Sequence, residues 1–187
     1  MLPNVMTVLR LMLVPFILWL ASEAATAPLA VGLALFLVAG LTDWLDGYLA
    51  RRRRLVTAFG TFMDPITDKV LVLGAMFVFA HHHGLLPMWL VLVNLFRELL
   101  VSGVRQVKAV EGELVGANWM GRVKFWLQTA LISGIFLYLI LASRGVNVSG
   151  GQRLILWGAT LVTAVSLGFA VVFVVWYRKE IFRSRAA

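Results

Sequence analysis

Residues 28–51 read Pro28-Leu-Ala-Val-Gly-Leu-Ala-Leu-Phe-Leu-Val-Ala-Gly-Leu-Thr-Asp43-Trp-Leu-Asp46-Gly47-Tyr-Leu-Ala50-Arg51. Fifteen residues without a charge lead into two carboxylates and then a basic run, Arg51, Arg52, Arg53 and Arg54. A helix with no polar face has no side to turn toward water, whereas in lipid it satisfies its backbone hydrogen bonds internally. Roughly 20 such residues cross the hydrocarbon layer. The spacing therefore predicts a transmembrane helix over residues 28–49, with acid near one end.

The same pattern repeats along the chain. Apolar runs occupy residues 5–20, 62–80, 85–107, 120–142 and 154–177, each long enough to cross a bilayer. Of 187 residues, 61% are hydrophobic and only 14% charged. Mean hydropathy is +0.90, and a soluble domain is nearer half apolar and a quarter charged. Six spans leave only short connections, which excludes large extramembrane domains and disordered arms. The expected fold is an all-α integral membrane protein, residues 1–187 forming one domain of six transmembrane helices with a cytoplasm-facing polar cleft. No cysteine is present, so disulfides, thiolate metal sites and cysteine nucleophiles are excluded. With so little polar surface, the net charge of +8 points to membrane lipids or a phosphorylated ligand, not nucleic acid.

Lys and Arg set the orientation. Arg51 to Arg54, then Arg105, Lys108, Arg122 and Lys124, then Arg178, Lys179, Arg183 and Arg185 fall on one side, against Arg144 and Arg153 on the other. The positive-inside rule places the larger group, and both termini, in the cytoplasm of a plasma (inner) membrane protein. Ala25-Thr26-Ala27 resembles a signal-peptidase site, but the single preceding cation Arg10 and the interrupting Pro15 fit a retained first span better. Trp89, Trp119 and Trp176 lie near run ends, where interfacial anchors belong. His81, His82 and His83 precede Gly84 and read as a solvated loop rather than a metal site.

Four acidic residues are less easily placed. Glu23, Glu111, Glu113 and Glu180 fall in loops or the tail, and Glu98 follows Arg97 directly. Asp43 and Asp46, and Asp64 and Asp68, sit on two successive apolar runs. A carboxylate in a span is costly and four together repel, so something must neutralise them. Steps of three and four residues put each pair on one face of its helix. Gly40, Gly47, Ala50 and Gly60 beside them permit close approach of a helix or ligand. A short connection makes the two helices antiparallel neighbours, so the pairs meet near the cytoplasmic ends. Oxygen-only ligands at this density suit a hard divalent cation, Mg²⁺ or Mn²⁺, and two ions would offset four charges. Pairing with residues 51–54, Lys69 and Arg97 is the competing explanation; it would suffice for one or two aspartates but not for four.

Read in order, Asp43, Asp46, Gly47, Ala50, Arg51, Gly60, Asp64 and Asp68 reproduce the pattern D-x2-D-G-x2-A-R-x8-G-x3-D-x3-D. In this the chain resembles the CDP-alcohol phosphatidyltransferase family, whose size and six spans it shares. Within that family it is similar to the phosphatidylglycerophosphate synthase branch. Pro3-Asn4-Val-Met-Thr7-Val-Leu-Arg10 resembles P-N-x-x-T-x-x-R. Arg97-Glu98-Leu-Leu-Val-Ser-Gly103-Val-Arg105 resembles R-E-x4-G-x-R, and Gly121-Arg122-Val-Lys124-Phe125 resembles G-K-x-K-T. The last departs twice: Arg122 keeps the charge in another donor geometry, and Phe125 loses a hydroxyl.

The resemblance implies attack of an alcohol hydroxyl on the β-phosphorus of CDP-diacylglycerol, with CMP leaving. It implies that Asp43, Asp46, Asp64 and Asp68 hold two Mg²⁺ or Mn²⁺ ions, with Asp68 also the general base. Asp46, Gly47, Ala50, Arg51 and Gly60 would meet the CDP-lipid, although Arg51 also belongs to a basic run. The implied acceptor is glycerol 3-phosphate, its phosphate held by Arg97, Arg105, Arg122 and Lys124. Arg105 and Lys124 read equally well as plain cytoplasmic charges. Arg97, near the middle of an apolar run, needs a partner. Successive helical residues diverge, so a substrate dianion or an Asp across the cleft is expected there rather than Glu98. Asn4, Thr7 and Arg10 share a helix face and would line the same cleft. A homodimer is also implied, and Ala130, Ser133 and Gly134 could pack within the monomer or between subunits.

Alternatives are another acceptor, inositol phosphate or phosphatidylglycerol, and, from a different class, a cation channel or transporter. Transport sites favour broken helices at the midplane, whereas these aspartates approach a basic run. A membrane prenyltransferase needs more spans than 187 residues supply.

Overall fold

Each apolar run becomes one helix. The computed structural model describes residues 2–53, 58–110 and 119–181, and the side chains of residues 9–42, 67, 69–107 and 119–177. Within these lie α1 (Leu2–Ser22), α2 (Thr26–Arg53), α3 (Ala58–His81), α4 (Met88–Val110), α5 (Trp119–Ser143) and α6 (Gly151–Ile181). At 1.5 Å per residue, even the 21 residues of α1 extend about 30 Å, the thickness of a bilayer core. Among the described residues, Trp119–Ser143 and Gly151–Tyr177 are long and apolar enough to cross a membrane, with hydropathy 1.9 and 2.3. Leu9–Ser22, Thr26–Thr42 and Lys69–His81 are apolar but shorter.

Several boundaries differ from the hydropathy reading. The second helix extends past the expected end at residue 49: Arg51, Arg52 and Arg53 continue α2. Leu85 and Leu86, expected in the fourth run, lie buried before α4, which starts at Met88 after Pro87. The Leu85 amide donates back to Phe79 O at 3.0 Å, closing a turn at Gly84, whose φ is +63°. The histidines are not simply solvated either. His81 ends α3 and stacks on Phe77, while His83 Nε2 lies 2.8 Å from Ala21 O and ties this turn to α1. At the end of α5, Gly145 has φ +75°. Gly145 N bonds Ala142 O and Val146 N bonds Leu141 O, the paired bonds of a left-handed helix stop.

The molecule is inside-out relative to a water-soluble protein. Met12, Leu154 and Trp157 are 70%, 75% and 73% exposed, while Asn94, Arg97, Glu98, Gln128, Thr163 and Ser166 are buried. Apolar surface on that scale is tolerable against lipid. Trp89, Trp119 and Trp176 are all exposed.

α1 lies against both α2 and α3, α5 against α2 and α6, and α4 against α6. With α1 touching both, α2 and α3 meet only slightly among the described residues. α1 meets α3 at Gly74, where a Cβ would come within 2.7 Å of Leu18 Cδ1 and the leucine side chain would have to shift. The apolar core centres on Phe136, which meets Phe79 edge-on at 5.0 Å and Phe36 at 6.2 Å between ring centroids. Removing that ring leaves a void among close-packed side chains. Phe136→Ala is expected to lower stability by about 3–4 kcal/mol, read as an earlier thermal unfolding transition in detergent.

The expected small-residue run on α5 faces outward in part. Ala130 is exposed, and a Cβ on Gly134 would meet nothing within 4 Å.

Candidate active site

The helices alternate in direction along the bundle. This gathers at one end of the bundle the first half of α1, the second halves of α2, α4 and α6, and the first halves of α3 and α5. The aspartate positions fall here, Asp43 and Asp46 on α2, Asp64 and Asp68 on α3. Their side chains, with the surroundings of Asn4, Thr7, Gly47, Ala50, Arg51 and Gly60, lie outside the described residues. What the backbone supplies is uninterrupted helix through both pairs, which keeps 43 with 46, and 64 with 68, on a common face. A donor set of four carboxylates on helices fits a hard divalent ion.

Near the middle of α4, the polar residues Asn94, Arg97 and Glu98 recur at helical spacing and are all buried. Arg97 Nη1 donates to Glu98 Oε1 at 2.8 Å, and Lys124 Nζ of α5 donates to the same oxygen. Arg97 Nε donates to Ser166 O of α6 at 3.1 Å. The expectation that Arg97 would not pair with its neighbour is thus corrected. Backbone vectors of successive residues diverge, but the long guanidinium stem folds back, and the partner carboxylate is already drawn inward by Lys124. Ser102 Oγ donates to Glu98 O at 2.7 Å and accepts from Lys69 Nζ of α3, next in sequence to Asp68.

One turn deeper, Asn94 Nδ2 donates to Leu90 O at 2.9 Å and Thr163 Oγ1 at 2.8 Å, and Gln128 Nε2 donates to Asn94 Oδ1 at 3.3 Å. In the described residues α4 and α5 are not closely packed backbone to backbone. Among the described residues the Glu98–Lys124 and Asn94–Gln128 pairs cross between them.

The remaining expected cations are spread more widely. The Arg105 guanidinium sits 5.6 Å from the Phe173 ring centroid, and its Nη2 is 3.8 Å from where a Gly121 Cβ would be. Arg122 is exposed, and Arg10 of α1 is 4% exposed. Phe125, which replaces the pattern's Thr, lies 3.8 Å from a Cβ built on Gly40, one turn before Asp43. The ring therefore packs on α2 where the pattern has a hydroxyl. A cavity of about 440 Å³ lined by Tyr138, Asn147, Ser149 and Gln152 lies at the opposite end, and none of its lining residues is charged.

Glu98 as a hub, and the Asn94–Gln128–Thr163 trio, were not anticipated. The available signal was polar residues interrupting three apolar runs at positions with no loop nearby.

The family model for CDP-alcohol phosphatidyltransferase matches residues 1–176. The chain is 39% identical over 149 residues, 73% of its length and 77% of the relative's, to a CDP-diacylglycerol–glycerol-3-phosphate 3-phosphatidyltransferase of Bacillus subtilis (strain 168). Similar proteins with the same name occur in Rickettsia typhi, 35% identical over 172 residues (88% of this chain, 92% of the relative), and in Escherichia coli (strain K12), 37% identical over 137 residues (70% and 74%).

Proposed function

Because the chain belongs to the CDP-alcohol phosphatidyltransferase family, we propose that it transfers a phosphatidyl group from CDP-diacylglycerol to sn-glycerol 3-phosphate, releasing CMP. The observation that carries this reading is the gathering of Lys69, Arg97 and Lys124 from three helices into one network. Lys69 and Lys124 lie in the halves of α3 and α5 at the end that carries the four aspartate positions, and Arg97 lies near the middle of α4. An anionic acceptor and an anionic donor need such an arrangement, with cations for one and carboxylate-held metal for the other. The relatives' names supply the acceptor's identity.

In this reading the six helices are six spans, with the site and both termini on the cytoplasmic side. Asp43, Asp46, Asp64 and Asp68 would hold two Mg²⁺ or Mn²⁺ ions, whose chemistry when bound is to neutralise the diphosphate. Gly47, Ala50, Arg51 and Gly60 bind the CDP-lipid; Asn4, Thr7 and Arg10 line the cleft. Arg97, Arg105, Arg122 and Lys124 orient the acceptor through its phosphate. Asp68 takes the proton of the acceptor's terminal hydroxyl as its oxygen attacks the lipid-bearing β-phosphorus. The bond from that phosphorus to the bridging oxygen breaks, and CMP leaves with the electron pair. The protein is a homodimer in the same reading, with the exposed Ala130 and Gly134 suited to close helix approach.

The test is purified protein with CDP-diacylglycerol and each radiolabelled acceptor. Glycerol 3-phosphate is expected to give labelled lipid and equimolar CMP, and a chelator to abolish both. Product with inositol phosphate and none with glycerol 3-phosphate would overturn the acceptor. Ion flux without CMP release would favour the transporter reading.

A further inference from the structure

We propose that Glu98 is a positioning residue for the acceptor: its buried carboxylate fixes Arg97 and Lys124 as a preset pair of cations across the α4–α5 gap. This rests on the reading that those two cations bind the acceptor's phosphate.

Three observations carry it. Glu98 is 5% exposed and its Oε1 accepts from both cations, one from its own helix and one from α5. α4 and α5 lack close backbone packing in the described residues, so the carboxylate sets how far Lys124 stands from α4. The carboxylate's own position is braced, because Arg97 is tied to Ser166 O of α6 and the Glu98 turn is tied through Ser102 to Lys69 of α3.

The carboxylate offsets part of the positive charge that Arg97 and Lys124 bring into the bundle, which lowers the cost of burying them while leaving the pair attractive to a phosphate. Without the carboxylate the two cations repel each other and lose their common anchor, so their relative position is less well fixed. A preset pair loses less on binding than two mobile side chains, so the effect belongs in acceptor affinity and orientation, not in donor binding.

The experiment compares the wild type with Glu98→Gln, Glu98→Asp, Lys124→Gln and the double Glu98→Gln/Lys124→Gln, all purified in detergent. KM is measured for glycerol 3-phosphate and for CDP-diacylglycerol, alongside thermal unfolding. Glu98→Gln is expected to raise the acceptor KM about tenfold or more while leaving the donor KM unchanged, as loss of a charge-assisted contact on one side of the site would. The double variant is expected to lose less than the sum of the two single losses, because Glu98 acts in part through that amine. Glu98→Asp, which keeps the charge on a shorter stem, is expected to fall between. If Glu98→Gln cannot be recovered folded, Glu98→Asp carries the test through the same ratio of KM values.

A lowered unfolding temperature with an unchanged acceptor KM would show a purely structural ion pair and overturn the proposal while leaving the acceptor reading intact. Equal changes in both KM values, or additive losses in the double variant, would do the same. Wild-type CMP release that ignores glycerol 3-phosphate and follows an uncharged acceptor would overturn the acceptor reading, and this proposal with it.

Discussion

Asp68→Asn is expected to lower kcat by about 10³-fold, in the range that a general base contributes, while CDP-diacylglycerol binding is largely retained. The substitution keeps the size of the side chain and one oxygen able to face a metal. It removes the capacity to accept the proton of the attacking hydroxyl. A loss confined to kcat identifies an interaction made in the transition state, whereas a loss shared with donor binding identifies a ligand to the nucleotide or its metals. Steady-state turnover with labelled glycerol 3-phosphate, together with equilibrium binding of the CDP-lipid, separates the two. Near-normal turnover would remove Asp68 from the base role. Collapse of donor binding would make it a metal ligand alone. The structure places position 68 on continuous α3, one residue before Lys69. Lys69 reaches the α4 network through Ser102, so this turn of α3 joins an aspartate helix to the network proposed to meet the acceptor.

Helix number and order were legible because lipid leaves the backbone so few options. A run such as residues 28–42 has no charge to place and can satisfy its amides only by becoming helical. Details governed by side-chain reach were not legible. Nothing in the spacing of Arg97 and Glu98 shows that the pair closes on itself, because the deciding partner, Lys124, lies 26 residues away on another helix. Leu85 and Leu86 scored as span residues because they are apolar, yet they are buried in a turn and α4 waits for Met88. Hydropathy also read past Asn94, Gln128 and Thr163, which are uncharged and so barely disturb an apolar average, although they bond to one another inside the bundle. The aspartate motif was visible in the sequence because its residues recur at fixed spacing along two helices. The α4 network is assembled across helices, from residues with no mutual spacing to read.

Arg97→Ala is expected to raise the KM for glycerol 3-phosphate by about 100-fold, and that for CDP-diacylglycerol much less. Truncating one partner of a buried, hydrogen-bonded charge pair costs about 2–5 kcal/mol, and a factor of 100, about 2.8 kcal/mol, sits in the lower part of that range. The guanidinium is 7% exposed and already braced by Ser166 O and Glu98. It therefore meets a phosphate with little side-chain freedom left to lose. The same burial means that alanine leaves Glu98 with Lys124 as its remaining partner among the contacts described above, and some loss of stability accompanies the kinetic effect. The two consequences are separable. A stability loss acts on the amount of active enzyme and scales kcat, leaving both KM values in place, while loss of an acceptor contact moves one KM selectively. Arg97→Lys sharpens the distinction, since it keeps the charge but cannot reach Ser166 O and Glu98 with two fixed N–H donors at once. It is expected to retain more stability than alanine and still show a raised acceptor KM. If instead the donor KM rises more than the acceptor KM, Arg97 belongs to the CDP-lipid side of the cleft, and the phosphate of the acceptor must be held by Arg105, Arg122 and Lys124.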